Sequence, residues 1–182
     1  AFAYLKYGVY QGEGFLVITG DIGTGKTTLV RALLDELDTG EVVAAQIVST
    51  QLDADDLLRS VAAAFGINVG PDGKARLLAT IEAFLLTTFQ RGKRALLIVD
   101  EAQNLGARSL EELRMLSNFQ CGDNALLQSF LVGQPELRML MRSPLMEQFR
   151  QRVIASYHLG PLDQADTRAY VEHRLGHVGW KS

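Results

Sequence analysis

Cysteine occurs once in the 182 residues, at Cys121. One thiol cannot close an intramolecular disulfide, so the fold must rest on its core, and a reducing compartment is expected. No apolar run approaches the roughly 18 residues that a membrane helix needs, so no membrane segment is expected in the chain. Charge of one sign is also scarce: 18 Lys and Arg face 21 Asp and Glu, a net −3. That balance argues against a large nucleic-acid surface and leaves a local basic patch open. Two of the three histidines, His173 and His177, stand four apart, a metal-ligand spacing. No Glu lies between them and no third ligand is evident, so a solvated helix face is expected. Cys121 sits in a polar turn without a His partner, so a catalytic thiol is not expected. There is no internal repeat and no low-complexity segment. The absent initiator Met, with a helix-like stretch just before Ser182, suggests a piece of a longer polypeptide.

What is present is Gly20-Asp21-Ile22-Gly23-Thr24-Gly25-Lys26-Thr27. It reads G-x-x-x-x-G-K-[ST], the phosphate-binding loop of nucleoside triphosphatases. The apolar run Phe15–Thr19 enters it as a buried strand, and a helical stretch from Thr27, through Thr28, to Leu34 leaves it. Gly20, Gly23 and Gly25 let the backbone curl so that successive N–H groups face the phosphates. The helix N-terminus adds its positive end. Lys26 is a point charge for the β- and γ-phosphates, and the Thr27 hydroxyl is a hard oxygen suited to Mg²⁺.

Four more strands follow: Val42–Val48, buried; Ala95–Val99, apolar throughout; Leu126–Val132; and Val153–Leu159, more polar and so expected at an edge. Helices are expected over residues 3–11, from the phosphate loop to near Gly40, at Asp53–Phe65, at Lys74–Phe89, from a capping box at Ser109-Leu110-Glu111-Glu112 to Ser117, at Pro135–Met141, and from Pro144 to Gln151. Tyr4, Tyr7 and Tyr10, at helical spacing, are expected to pack on the sheet rather than line a base pocket. Alternating strands and helices predict an α/β fold with a parallel, doubly wound sheet of five strands. Residues 1–160 form this nucleotide-binding domain. Pro161 marks a hinge, and Asp163–Leu175 is expected to be the first helix of a further element.

The third strand runs into Asp100-Glu101. Asp100 is placed to hold Mg²⁺ through water opposite Thr27, and Glu101 to orient and deprotonate an attacking water. The adjacent Glu, and the lack of an Asn-Lys-x-Asp segment, favour ATP over GTP. Gln134, after the fourth strand, is expected beside the γ-phosphate. Arg152 is the candidate arginine finger reaching a neighbouring subunit's nucleotide, with Arg150 in reserve.

Gly-Asp-Ile-Gly-Thr-Gly-Lys-Thr-Thr, Ile-Val-Asp-Glu-Ala-Gln-Asn-Leu and Leu-Val-Gly-Gln-Pro-Glu-Leu together resemble AAA+ ATPases of the general secretion pathway protein A (ExeA-like) type. Ala3–Gly8 and Gln11–Phe15 are similar to a subgroup linked to exosortase/PEP-CTERM and exopolysaccharide loci. The resemblance implies a P-loop fold of the AAA+/ASCE kind with the strand order 5-1-4-3-2, a helical lid that starts in residues 161–182 and on whose missing part Trp180 is expected to pack, Mg²⁺-dependent hydrolysis of ATP to ADP and phosphate, a homo-oligomeric ring or assembly, and envelope or secretion-system partners. It implies Lys26 and Thr27 as the phosphate-loop pair, Asp100 and Glu101 as the metal-binding and catalytic acids, Gln134 as a sensor and Arg152 as the finger. The expected location is the cytoplasm, at the inner face of the membrane if other parts anchor it. Two other readings stay open: an AAA+ regulator of DNA transposition, and a non-catalytic ATP-binding switch.

Overall fold

The computed structural model describes residues 7–9, 11–37, 40–49, 52–71 and 73–160. The expectations for Tyr4, Tyr10, the lid helix, His173, His177 and Trp180 lie outside the described residues. The chain runs β1 (Phe15–Gly20), α1 (Lys26–Glu36), β2 (Val42–Val48), α2 (Ala54–Ala64), α3 (Lys74–Gln90), β3 (Arg94–Asp100), a 3-10 turn (Ala102–Asn104), α4 (Ala107–Leu116), β4 (Gln120–Cys121), β5 (Asn124–Ala125), β6 (Leu127–Gly133), α5 (Glu136–Arg142), a 3-10 turn (Pro144–Met146), α6 (Glu147–Arg150) and β7 (Val153–Leu159).

The main sheet is parallel and five-stranded, in the order β2-β3-β6-β1-β7. The small antiparallel hairpin of β4 and β5, turning at Gly122 with φ 61°, was not foreseen and shifts the strand numbering. Cys121 lies in it, half-buried. Skipping the hairpin, the five strands fall in the expected neighbour relations.

The three central strands are apolar because both their faces are covered. Successive side chains point to opposite faces, so each strand feeds two cores. Phe15 and Val17 of β1, Leu97 and Val99 of β3, and Leu127 and Leu131 of β6 join the core beneath α2 to α6. Leu16 and Ile18, Leu96 and Ile98, and Phe130 and Val132 join the core beneath α1, with Val30 and Leu33. Each such side chain stabilises the fold by roughly 1.5–3 kcal/mol before the entropy of ordering it is subtracted.

Four expectations need correction. The β2 strand is not buried along its length: at the edge that the expected strand order gives it, only alternate stretches are covered and Val48 is exposed. Tyr7 does not pack on the sheet but is 64% exposed. Its neighbour Gly8 is the residue that lies against β1, so close that a Cβ would fall 2.1 Å from Leu16 Cδ2. Ser109 is not an N-cap. The helix begins three residues earlier than that cap would place it, after Gly106, and the buried Ser109 hydroxyl donates to the Leu52 carbonyl at 3.0 Å, tying α4 to the approach to α2. Glu112, the other half of the supposed box, pairs with Lys74. Finally, the segment from Pro144 opens as a 3-10 turn before the four residues of α6. By contrast, Asp53 caps α2 through its side chain, accepting the Asp56 N–H at 2.8 Å.

Candidate nucleotide site

The site is built where β1, β3 and β6 end, the carboxyl edge at which open α/β sheets bind ligands. β1 stops at Gly20, where a Cβ would fall 2.7 Å from both the Leu159 carbonyl and the Thr24 hydroxyl, so the loop leaves the sheet only through glycine. Gly23 and Gly25 have φ of 82° and 83°, in the left-handed region that favours glycine. Gly25 is the N-cap of α1, and Lys26 and Thr27 stand in its first turn. Lys26 is buried, at 8% exposure, and its ammonium donates to the carbonyls of Gly20 (2.7 Å) and Asp21 (2.8 Å). Thr24 closes the loop by donating to the Asp21 carbonyl at 2.8 Å. Ile22 at the tip is 82% exposed.

Across the loop, the Thr27 hydroxyl donates to Asp100 Oδ2 at 3.2 Å, so two hard oxygens from α1 and β3 converge. Asp100 Oδ1 accepts the Glu101 N–H at 2.9 Å. Glu101 has φ 53°, the only described non-glycine residue with positive φ. That conformation costs about 1–3 kcal/mol and is found where the surrounding structure enforces it. Gln134, after β6, sends its side-chain amide toward Glu101 Oε2 at 3.4 Å, and the neighbouring β6–β3 and β6–β1 pairings put it between the loop and the acidic pair. A cavity of about 290 Å³ is lined by Ile22, Gly23, Gly25, Lys26, Thr27 and Thr28 on one side and Glu101 and Gln134 on the other.

A larger hollow, about 380 Å³, opens at the other end of the sheet beside Gln11, Lys93 and Asp123. Its acids and bases are mixed and its Arg94 guanidinium is already given to the Val9 carbonyl at 3.0 Å, so it lacks the convergent chemistry of the smaller one.

The structure does not bring Arg152 to these groups. It precedes β7, at the opposite end of the sheet, where its carbonyl accepts the Phe15 N–H and its guanidinium donates to Asn118 Oδ1 at 2.6 Å. Arg150 donates to the carbonyls of Met141 (2.7 Å) and Ser143 (2.8 Å) at the end of α5. Away from the site, on α4, hydrogen bonds from the Arg114 guanidinium lower the Glu111 carboxyl from its ordinary value, opposed by burial and aided by the Arg114 charge.

Two residues of the site were missed in the sequence. Gln103 donates to Glu101 Oε2 at 2.5 Å and accepts the Gln134 N–H at 3.0 Å, and Asn104 donates to the Ser49 carbonyl at 3.0 Å, pinning the turn to the end of β2. The available signal was their position directly after an acidic strand end.

Sheet, phosphate loop and acidic strand end together define a P-loop ATPase. The chain belongs to the AAA domain family, whose profile matches residues 9–141. It is 43% identical over 180 residues to General secretion pathway protein A of Aeromonas hydrophila, covering 98% of this chain and 33% of that protein. The chain thus spans about a third of the length of that relative. Its fold is similar to the ORC2 protein of Aeropyrum pernix, solved as ADPNP–ADP complexes, with a TM-score of 0.74 at 18% identity over 96% of this chain and 50% of that one. It is also similar to Cdc6p of Pyrobaculum aerophilum, with a TM-score of 0.67 at 16% identity over 97% and 48%. No helix among the described residues is long and apolar enough to cross a membrane.

Proposed function

We propose that the chain converts ATP and water to ADP and phosphate and that this hydrolysis drives a secretion, exopolysaccharide-export or envelope-assembly machine from the cytoplasmic side. The observation that carries the catalytic reading is the convergence of Lys26, the Thr27–Asp100 oxygen pair and Glu101 around one cavity. Backbone N–H groups from Gly20 to Thr28 hold the phosphates. Lys26 exchanges its two carbonyl partners for β- and γ-phosphate oxygens, which keeps the ammonium paired throughout. Thr27 and Asp100 would hold Mg²⁺, which takes one or two protein oxygens and completes its shell with water and phosphate; when bound it neutralises charge on the phosphates. Glu101 orients the water and takes its proton, and Gln134 hydrogen-bonds the γ-phosphate or that water. Arg152, at the far end of the sheet from its own phosphate loop, serves a neighbouring copy, which makes the active unit an oligomer. The 43% identity to a secretion-pathway protein supports the coupled process.

Glu101→Gln tests the reading. It is expected to bind ATP within about twofold of wild type and to lose turnover by about 10²-fold or more, from the lower end upward of what a general base contributes. Undiminished hydrolysis would sink the assignment.

A further inference from the structure

Glu101 is held at both ends. Its N–H is bound by Asp100, and its carboxylate by the Gln103 amide. The same Gln103 side chain accepts the Gln134 N–H through Oε1. Only one orientation of that amide satisfies both neighbours: reversed, its oxygen would face a carboxylate and its NH₂ an N–H. Both amide contacts to Glu101, from Gln103 and from Gln134, fall on the one oxygen Oε2. Room for the bridge exists because residue 133 is glycine: a Cβ there would fall 2.7 Å from Gln103 Oε1. The geometry assigns Gln103 as the positioning residue of the site: it fixes the Glu101 carboxylate to the end of β6, beside Gln134. This deepens, and rests on, the reading of Glu101 as the base.

The bridge does not touch the phosphate loop, so its loss should act on turnover and spare binding. A misplacement of the order of 1 Å can cost up to about 10²-fold. Gln103→Met keeps the volume and removes both hydrogen bonds. Gln103→Glu keeps the acceptor for the Gln134 N–H and puts a like charge against Glu101. We measure kcat for ATP, nucleotide affinity by a fluorescent ATP analogue, and the thermal midpoint, on wild type, both variants and Glu101→Gln. The expected result is kcat lowered about tenfold or more in Gln103→Met and further in Gln103→Glu, with nucleotide affinity within about twofold and the thermal midpoint near wild type. A packing role predicts the opposite pattern: loss of affinity and thermal midpoint together with kcat. That pattern, or wild-type kcat in both variants while Glu101→Gln is inactive, overturns this inference alone. Wild type that binds ATP without turning it over overturns the hydrolytic reading and this inference with it.

Discussion

At Arg150 and Arg152 the same side-chain type, two residues apart, has two different tasks. Arg150 satisfies carbonyls left over at the end of α5, where the last turn of a helix lacks internal donors. It is exposed, so solvent can replace part of what it supplies. Arg150→Ala is therefore expected to cost about 1 kcal/mol in urea unfolding and to leave turnover per folded molecule unchanged. Lost turnover at full stability would move the finger role from Arg152 to Arg150. The pairing of Arg150 with α5 was not legible beforehand, because it depends on where that helix happens to end. The phosphate loop was legible residue by residue. Its glycines, Lys26 and Thr27 act through local backbone geometry within eight consecutive positions, and geometry of that range is written in the order of the residues.

Elements were legible where periodicity was strong. β7 was read with its observed limits and β3 within a residue at each end, because an apolar run between turn residues has few alternatives. Caps and partners were less so. Ser109 has the sequence of a capping box, but its hydroxyl finds the Leu52 carbonyl, 57 positions away, and the helix starts earlier. A local rule lost to a tertiary hydrogen bond. The short α6 illustrates the reverse dependence. Four residues cannot hold a helix by themselves, so α6 is set by Phe149, which is 1% exposed and lies with its ring centroid 4.4 Å from that of Phe15 at the start of β1. Phe149→Ala is expected to destabilise the fold by about 3–5 kcal/mol in chemical denaturation. A cost under about 1 kcal/mol would mean that the element is held by its backbone contacts instead.

For the whole molecule, the position of Arg152 is the informative one. Strands in a parallel sheet all point the same way, so a residue before β7 is separated from the phosphate loop of its own chain by the length of the sheet. If Arg152 completes a neighbour's site, specific ATPase activity rises with protein concentration, and Arg152→Ala flattens that rise without lowering the activity of dilute protein. Equal loss at every concentration would assign Arg152 to the fold, through its bond to Asn118. Sequence alone determined the class of chemistry, since the phosphate loop and the acidic strand end are each short, contiguous and strict in residue type. It also determined a parallel sheet and a polar edge strand, because burial on two faces or one changes composition directly. Only the tertiary structure decided that the Ser109 hydroxyl ties α4 to Leu52, that Gln103 bridges Glu101 to the end of β6, and that Arg152 faces away from Lys26. Each of these depends on which elements become neighbours, and neighbours distant in sequence leave no local trace in it.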